Sequence, residues 1–160
     1  PAAVVDIARN LAGMEGADTT ENNPNTRYPV IGLITEWISE NGETEQRDQY
    51  SDLGGTMRMG EQICNLSCDS LTASIYGNRV VKERHRHRYE VNTNLTPELE
   101  RVGLKIAGRS ADDTLVEVIE YKDHPWFVAS QFHPEFTSSP REGHPLFTRF
   151  IQAALAQRVD

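Results

Sequence analysis

The tightest constraint on the fold is a succession of short apolar runs framed by an amphipathic helix at each end. Residues 28–37, 57–66, 104–108, 115–121 and 126–132 have the length and side chains of strands, and residues 80–91 read as a long strand with an unusual basic centre. Val4, Val5, Ala8, Leu11 and Ala12 fall on one face of an opening helix. Pro145 begins a last helix, on which Leu146, Phe147, Phe150, Ile151, Ala154 and Leu155 form one apolar face. Residues 69–76 suit a short helix with Cys68 or Asp69 near its start. Another opens at Thr96-Pro97-Glu98, with Thr96 as N-cap and Pro97 at the first helical position. Residues 16–27, rich in Asn, Thr and Asp, read as loop, and residues 39–53 as a turn or exposed flap. Gly54-Gly55-Thr56 then permits a sharp backbone turn. With no repeat and no linker, residues 1–160 are expected to form a single α/β domain.

Composition narrows the function classes. The formal charge of −8 argues against a nucleic-acid footprint, which needs a basic face. No apolar run approaches the length of a membrane span, and no signal-peptide pattern opens the chain. Two cysteines, Cys64 and Cys68, make no disulfide framework, so a reducing, cytoplasmic setting is expected. The chain starts at Pro1, already inside an amphipathic helix, which points to a piece of something longer.

Chemistry is concentrated in two segments. The apolar run 126–132 leads straight into His133-Pro134-Glu135, which presents an imidazole and a carboxylate two residues apart. At that spacing Glu135 can accept a proton from one ring nitrogen of His133 and leave the other as a base. A carboxylate-oriented histidine activates nucleophiles in this way. The bland alternative is a His-Pro-Glu turn on a surface loop. The second segment is Arg84-His85-Arg86-His87-Arg88-Tyr89-Glu90. On a strand its side chains split, with Arg84, Arg86 and Arg88 on one side and His85 and His87 on the other. A guanidinium there can hold a carboxylate through two parallel hydrogen bonds; the alternative is a salt-bridged surface strand. A third reading takes His85, His87 and Glu90 as a cupin-like metal site in a non-enzymatic domain. Alternation places Glu90 on the opposite side from both histidines, so convergence would need a bulge. Cys64 and Cys68 form at most half a zinc site, and core or surface thiols are the simpler reading.

Several segments together carry a family resemblance: Gln131 to Phe136 (Gln-Phe-His-Pro-Glu-Phe), Leu33-Ile34-Thr35-Glu36-Trp37, residues 51–60 with Asp52-Leu53-Gly54-Gly55-Thr56-Met57-Arg58, Glu83 to Asn92 (Glu-Arg-His-Arg-His-Arg-Tyr-Glu-Val-Asn), Ala107-Gly108-Arg109-Ser110, and His124-Pro125-Trp126-Phe127. The chain resembles the class I (triad-type) glutamine amidotransferases over essentially its whole length, and within them the glutaminase domain of the CTP synthases. The resemblance implies the C-terminal part of a flavodoxin-like open, twisted α/β sheet with flanking helices and added antiparallel strands. It implies His133 as the catalytic histidine, Glu135 as its orienting carboxylate, and Glu21 and Arg88 as residues that hold glutamine. That pair suits a zwitterionic amino acid, an anion for its ammonium and a guanidinium for its carboxylate. Residues 46–55 correspond to a mobile lid associated with GTP activation. The parent enzyme uses ATP and Mg²⁺ to aminate UTP to CTP in pyrimidine biosynthesis, is a homo-oligomer, and draws ammonia from glutamine.

One departure stands out. In this family the nucleophilic cysteine occupies a Gly-x-Cys-x-Gly turn just before the helix with which this chain opens. Cys64 and Cys68 do not match it. The resemblance therefore implies a C-terminal portion of the amidotransferase domain, without the nucleophile or the synthase domain, that binds no cofactor or metal of its own and is inactive alone.

Overall fold

The computed structural model describes residues 1–33 and 57–158, whose contacts group into two compact units. The elements run α1 (Ala2–Asn10), β1 (Asp18–Thr19), β2 (Pro29–Leu33), β3 (Arg58–Leu66), α2 (Leu71–Tyr76) and β4 (Val80–His87). They continue with β5 (Tyr89–Val91), α3 (Thr96–Arg101), β6 (Leu104–Ser110), β7 (Val116–Tyr121), β8 (Val128–Ser130) and α4 (Pro145–Ala156). The fold is mixed α/β, as expected, with an antiparallel sheet and flanking helices. The lid stretch 46–55, the glycine turn 54–56 and residues 34–37 of the first apolar run lie outside the described residues.

The first unit, residues 1–59 and 86–102, is built on a sheet in the order β1-β2-β5. Strand β1 runs parallel to β2 and β5 antiparallel to it, with Ile31 opposite Val91. Helix α1 packs on β2 and buries Val4, Ile7 and Ala8, while Leu11 of the expected face stays exposed. Asn92 closes the end of this sheet. Its side-chain amide donates to the Pro29 carbonyl, and its oxygen caps a short 3-10 turn over Thr93–Leu95. That turn leads directly into α3, so Leu95 rather than Thr96 occupies the cap position.

The second unit, residues 60–85 and 103–160, holds most of a five-stranded sheet in the order β4-β3-β6-β7-β8. Its core joins Cys64, Leu66, Val81, Ala107 and Val118 from the sheet to Ala73, Phe132 and Leu146. Helix α2 starts two residues later than its sequence suggests, because Ser70 is the N-cap, accepting from Ala73 N–H. Buried Glu120 of β7 accepts from the backbone N–H groups of Leu71 and Thr72 and from the Thr72 hydroxyl, a favourable place for an anion. The run 126–132 gives only the half-buried strand β8, and most of the apolar face of α4 lies outside the core. Leu146 is buried, whereas Phe147, Phe150, Ile151 and Leu155 are exposed.

Gly108 lies where β6 is pinched between its neighbours. A Cβ there would sit 2.9 Å from Cys64 Sγ, 3.0 Å from Leu66 Cδ2 and 3.1 Å from Val118 Cγ2. Gly108→Val is therefore expected to destabilise the protein by about 1–3 kcal/mol through overpacking, read as a lower denaturant midpoint.

The run 80–91 differs most from its sequence reading. It is not one strand: it bends at Arg88, and the piece beyond the bend pairs with β2 in the other sheet. Along β4 the expected alternation holds, with Val81, Glu83 and His85 buried and Lys82, Arg84 and Arg86 exposed.

Candidate active site

Strand β8 ends at Ser130, Phe132 is buried in the core, and the chain turns at His133 into a single 3-10 turn, Pro134–Thr137. Proline suits the first position of such a turn, where an N–H would have no partner. The His133 N–H donates to the Arg84 carbonyl at 2.9 Å, which ties the turn to β4. His133 Nδ1 lies 2.8 Å from Glu135 Oε1, so the reach expected from the spacing is met. Both side chains are solvent-accessible, His133 at 37% and Glu135 at 56% of full exposure, open to a substrate. Glu135 is held below the usual carboxylate range by its own backbone N–H and then by the hydrogen bond with His133. An ionised Glu135 accepts the Nδ1 proton and leaves Nε2 with a free lone pair directed away from the carboxylate. The pair can accept and return a proton at that nitrogen.

Behind this turn lies a buried polar cluster that the sequence reading passed over. The Glu83 carboxylate, on the inward face of β4, receives three donors. His144 Nε2 is 2.7 Å from Oε1, the Tyr76 hydroxyl donates to the same oxygen at 2.7 Å, and the Thr137 hydroxyl donates to Oε2 at 3.0 Å. His144 Nδ1 accepts from the Leu146 N–H and so caps α4, which fixes the proton on Nε2. Burial alone would raise the Glu83 pKa, but the hydrogen bonds from His144 and Tyr76 outweigh it and the net shift is downward. Burial, followed by the bond to Glu83, pushes the Tyr76 phenol up, so it remains a donor. The signal available beforehand was period two: Glu83 alternates with Val81 and His85 on the side that turns inward.

The other candidate residues fall in the first unit, whereas His133 and Glu135 belong to the second. Glu21 is exposed in the turn after β1, where its N–H donates to Thr19 Oγ1. Arg88 is half-buried at the bend between β4 and β5. The bend also corrects the expected separation of Glu90 from the histidines, because it brings His87 Nε2 to 2.9 Å from the fully buried Glu90, which Arg58 approaches as well. His85 instead faces Glu117 at 3.6 Å, both side chains fully buried. The two histidines thus have different carboxylate neighbours, an arrangement that does not favour the cupin-like metal reading.

A cleft of about 540 Å³ in the second unit is lined by Asn65, Ser67, Arg79, Gly108 and Arg109, among others, and includes neither His133 nor Glu135. Of the two thiols, Cys64 is buried in the core on β3 and Cys68 is exposed in the turn before α2.

Residues 16–153 match the family model described as glutamine amidotransferase class-I. The glutaminase domain of CTPS from Trypanosoma brucei, solved with bound acivicin, is 30% identical with a TM-score of 0.81. The match covers 99% of this chain and 58% of that one, so the chain spans little more than half of its relative. A protein from Thermoplasma acidophilum described as one component of a GMP synthase is 20% identical, with a TM-score of 0.45 over 62% of this chain and 45% of that one.

Proposed function

Because this chain belongs to the class I glutamine amidotransferases, we propose that it is the glutaminase portion of a CTP synthase. Its residues serve the hydrolysis of glutamine to glutamate and ammonia, and the ammonia aminates UTP to CTP in an ATP-dependent step elsewhere in the enzyme. The observation that carries this reading is the His133–Glu135 pair, 2.8 Å apart at the end of a strand. The match to the Trypanosoma brucei glutaminase domain supports it over other amidotransferases.

The chemistry follows from the pair. A cysteine thiol passes its proton to His133 Nε2, and the thiolate attacks the side-chain amide carbon of glutamine. Glu135 stabilises the imidazolium that forms and holds its ring in place. As the tetrahedral intermediate collapses, the C–N bond breaks and His133 delivers the proton to the departing nitrogen, releasing ammonia. His133 then takes a proton from water, which attacks the thioester and gives glutamate and free thiol. The attacking thiol comes from outside these 160 residues, since Cys64 is packed in the core and Cys68 lies before α2. Among the described residues no three His, Cys, Asp or Glu side chains converge as metal ligands. ATP and Mg²⁺ belong to the synthase reaction, and GTP is an activator of the whole enzyme. On this reading the enzyme is a cytoplasmic homo-oligomer in pyrimidine biosynthesis.

Glu21 and Arg88 are assigned to the ammonium and carboxylate of the substrate. In the full-length protein Arg88→Ala is expected to raise the glutamine KM about 10- to 100-fold, the cost of one or two charge-assisted hydrogen bonds. Product formation from ammonium salts should be unchanged, because ammonia needs no clamp. Equal loss with both nitrogen sources would make Arg88 a structural residue and defeat the assignment.

A further inference from the structure

We propose that Glu83 is a positioning residue for the His133–Glu135 pair and acts through the Thr137 hydroxyl. Two adjacent residues of β4 grip the two ends of the turn that carries the pair. At its start the Arg84 carbonyl takes the His133 N–H at 2.9 Å, and at its end the Glu83 carboxylate takes the Thr137 hydroxyl at 3.0 Å. Glu135 lies between these anchors, and a turn held at both ends confines its carboxylate to the neighbourhood of Nδ1. Thr137 has one hydroxyl proton and two acceptors in range, Glu83 Oε2 at 3.0 Å and the Pro134 carbonyl at 3.3 Å. The charged and nearer acceptor takes it.

A buried carboxylate is costly unless its oxygens are satisfied. Glu83 is 3% exposed, and His144 and Tyr76 supply the donors that keep it ionised and aimed. They arrive from α2 and from the head of α4, so two helices and a strand fix its position. An apolar residue would fill the same space beside Val81, but it would offer nothing to Thr137. Catalytic geometry is sensitive to such support, because displacements of about 1 Å from remote changes can cost about a hundredfold in rate.

The rate arm of the test rests on the glutaminase reading, whereas the structural arm does not. Thr137→Val keeps the volume and the Glu83–His144–Tyr76 bonds and removes only the link to the turn. In the full-length protein this variant is expected to lower kcat for glutamine roughly 10- to 100-fold with KM within about twofold, and Thr137→Ser should restore it. A crystal structure of Thr137→Val should show His133 Nδ1 and Glu135 Oε1 separated beyond hydrogen-bond reach. Glu83→Gln, which has one acceptor oxygen for three donors, should show the same separation and serves if the first variant fails to fold. Either variant retaining the wild-type contact and the wild-type kcat would overturn the proposal. So would a fall in kcat with the contact intact, because the effect would then not pass through the pair. Separation of the pair in a protein that hydrolyses no glutamine even as wild type would uphold the positioning role and reject the glutaminase reading instead.

Discussion

His133→Ala in the full-length protein is expected to reduce glutamine-dependent CTP formation by about a thousandfold or more, while ammonia-dependent formation continues at the wild-type rate. The imidazole handles the proton twice, from the thiol to the leaving nitrogen and again during thioester hydrolysis. The carboxylate left in the turn, Glu135, is held below the usual carboxylate range by its own backbone N–H and so is a poor substitute base. General acid–base groups typically contribute about 10² to 10⁴ each, and residues that act with a nucleophile lose most of the rate when removed alone. His133 is over a third exposed, and its N–H bond to Arg84 is a backbone bond that alanine keeps. The loss should therefore appear in kcat with little change in thermal stability. Comparable losses with glutamine and with ammonium would place His133 outside the glutaminase chemistry.

A polypeptide of these 160 residues alone, shown to be folded by circular dichroism, is expected to release no measurable ammonia from saturating glutamine. Its thiols are Cys64 and Cys68. Cys64 is fully buried on β3, so close to β6 that a Cβ on Gly108 would lie 2.9 Å from its sulfur. No substrate carbon can reach that sulfur without opening the core. Cys68 is exposed, but in a turn before α2 rather than in the His-Pro-Glu turn. Without a thiolate the amide must be attacked by water directly, and the step is no longer divided into two easier ones. Sustained turnover that disappears in Cys68→Ser would identify a substitute nucleophile and refute this.

Much of the fold was legible beforehand, for a local reason. The alternation of β4 sets His85 on the opposite side from Arg84 and Arg86 before any neighbour is known, because strand geometry repeats every two residues. The His133–Glu135 contact was legible as a possible reach, since two residues across one proline turn lie close enough for their side chains to meet.

Other features could not be read, because each depends on what the rest of the chain brings alongside. The run 80–91 looked continuous, yet the pairing of β5 with β2 breaks it at Arg88 and turns Glu90 inward to His87. The last helix carries a clear apolar face, yet Leu146 alone of that face is buried, because periodicity states which residues share a side and not what covers it. Glu83 is the sharpest case. Alternation puts it on one side with Val81 and His85, but the donors that make a carboxylate tolerable there come from Thr137 and His144, 54 and 61 residues away. Local sequence determined where each side chain could point, and tertiary packing alone decided which distant donors and acceptors met, because hydrogen bonds over such separations exist only once the chain has closed on itself.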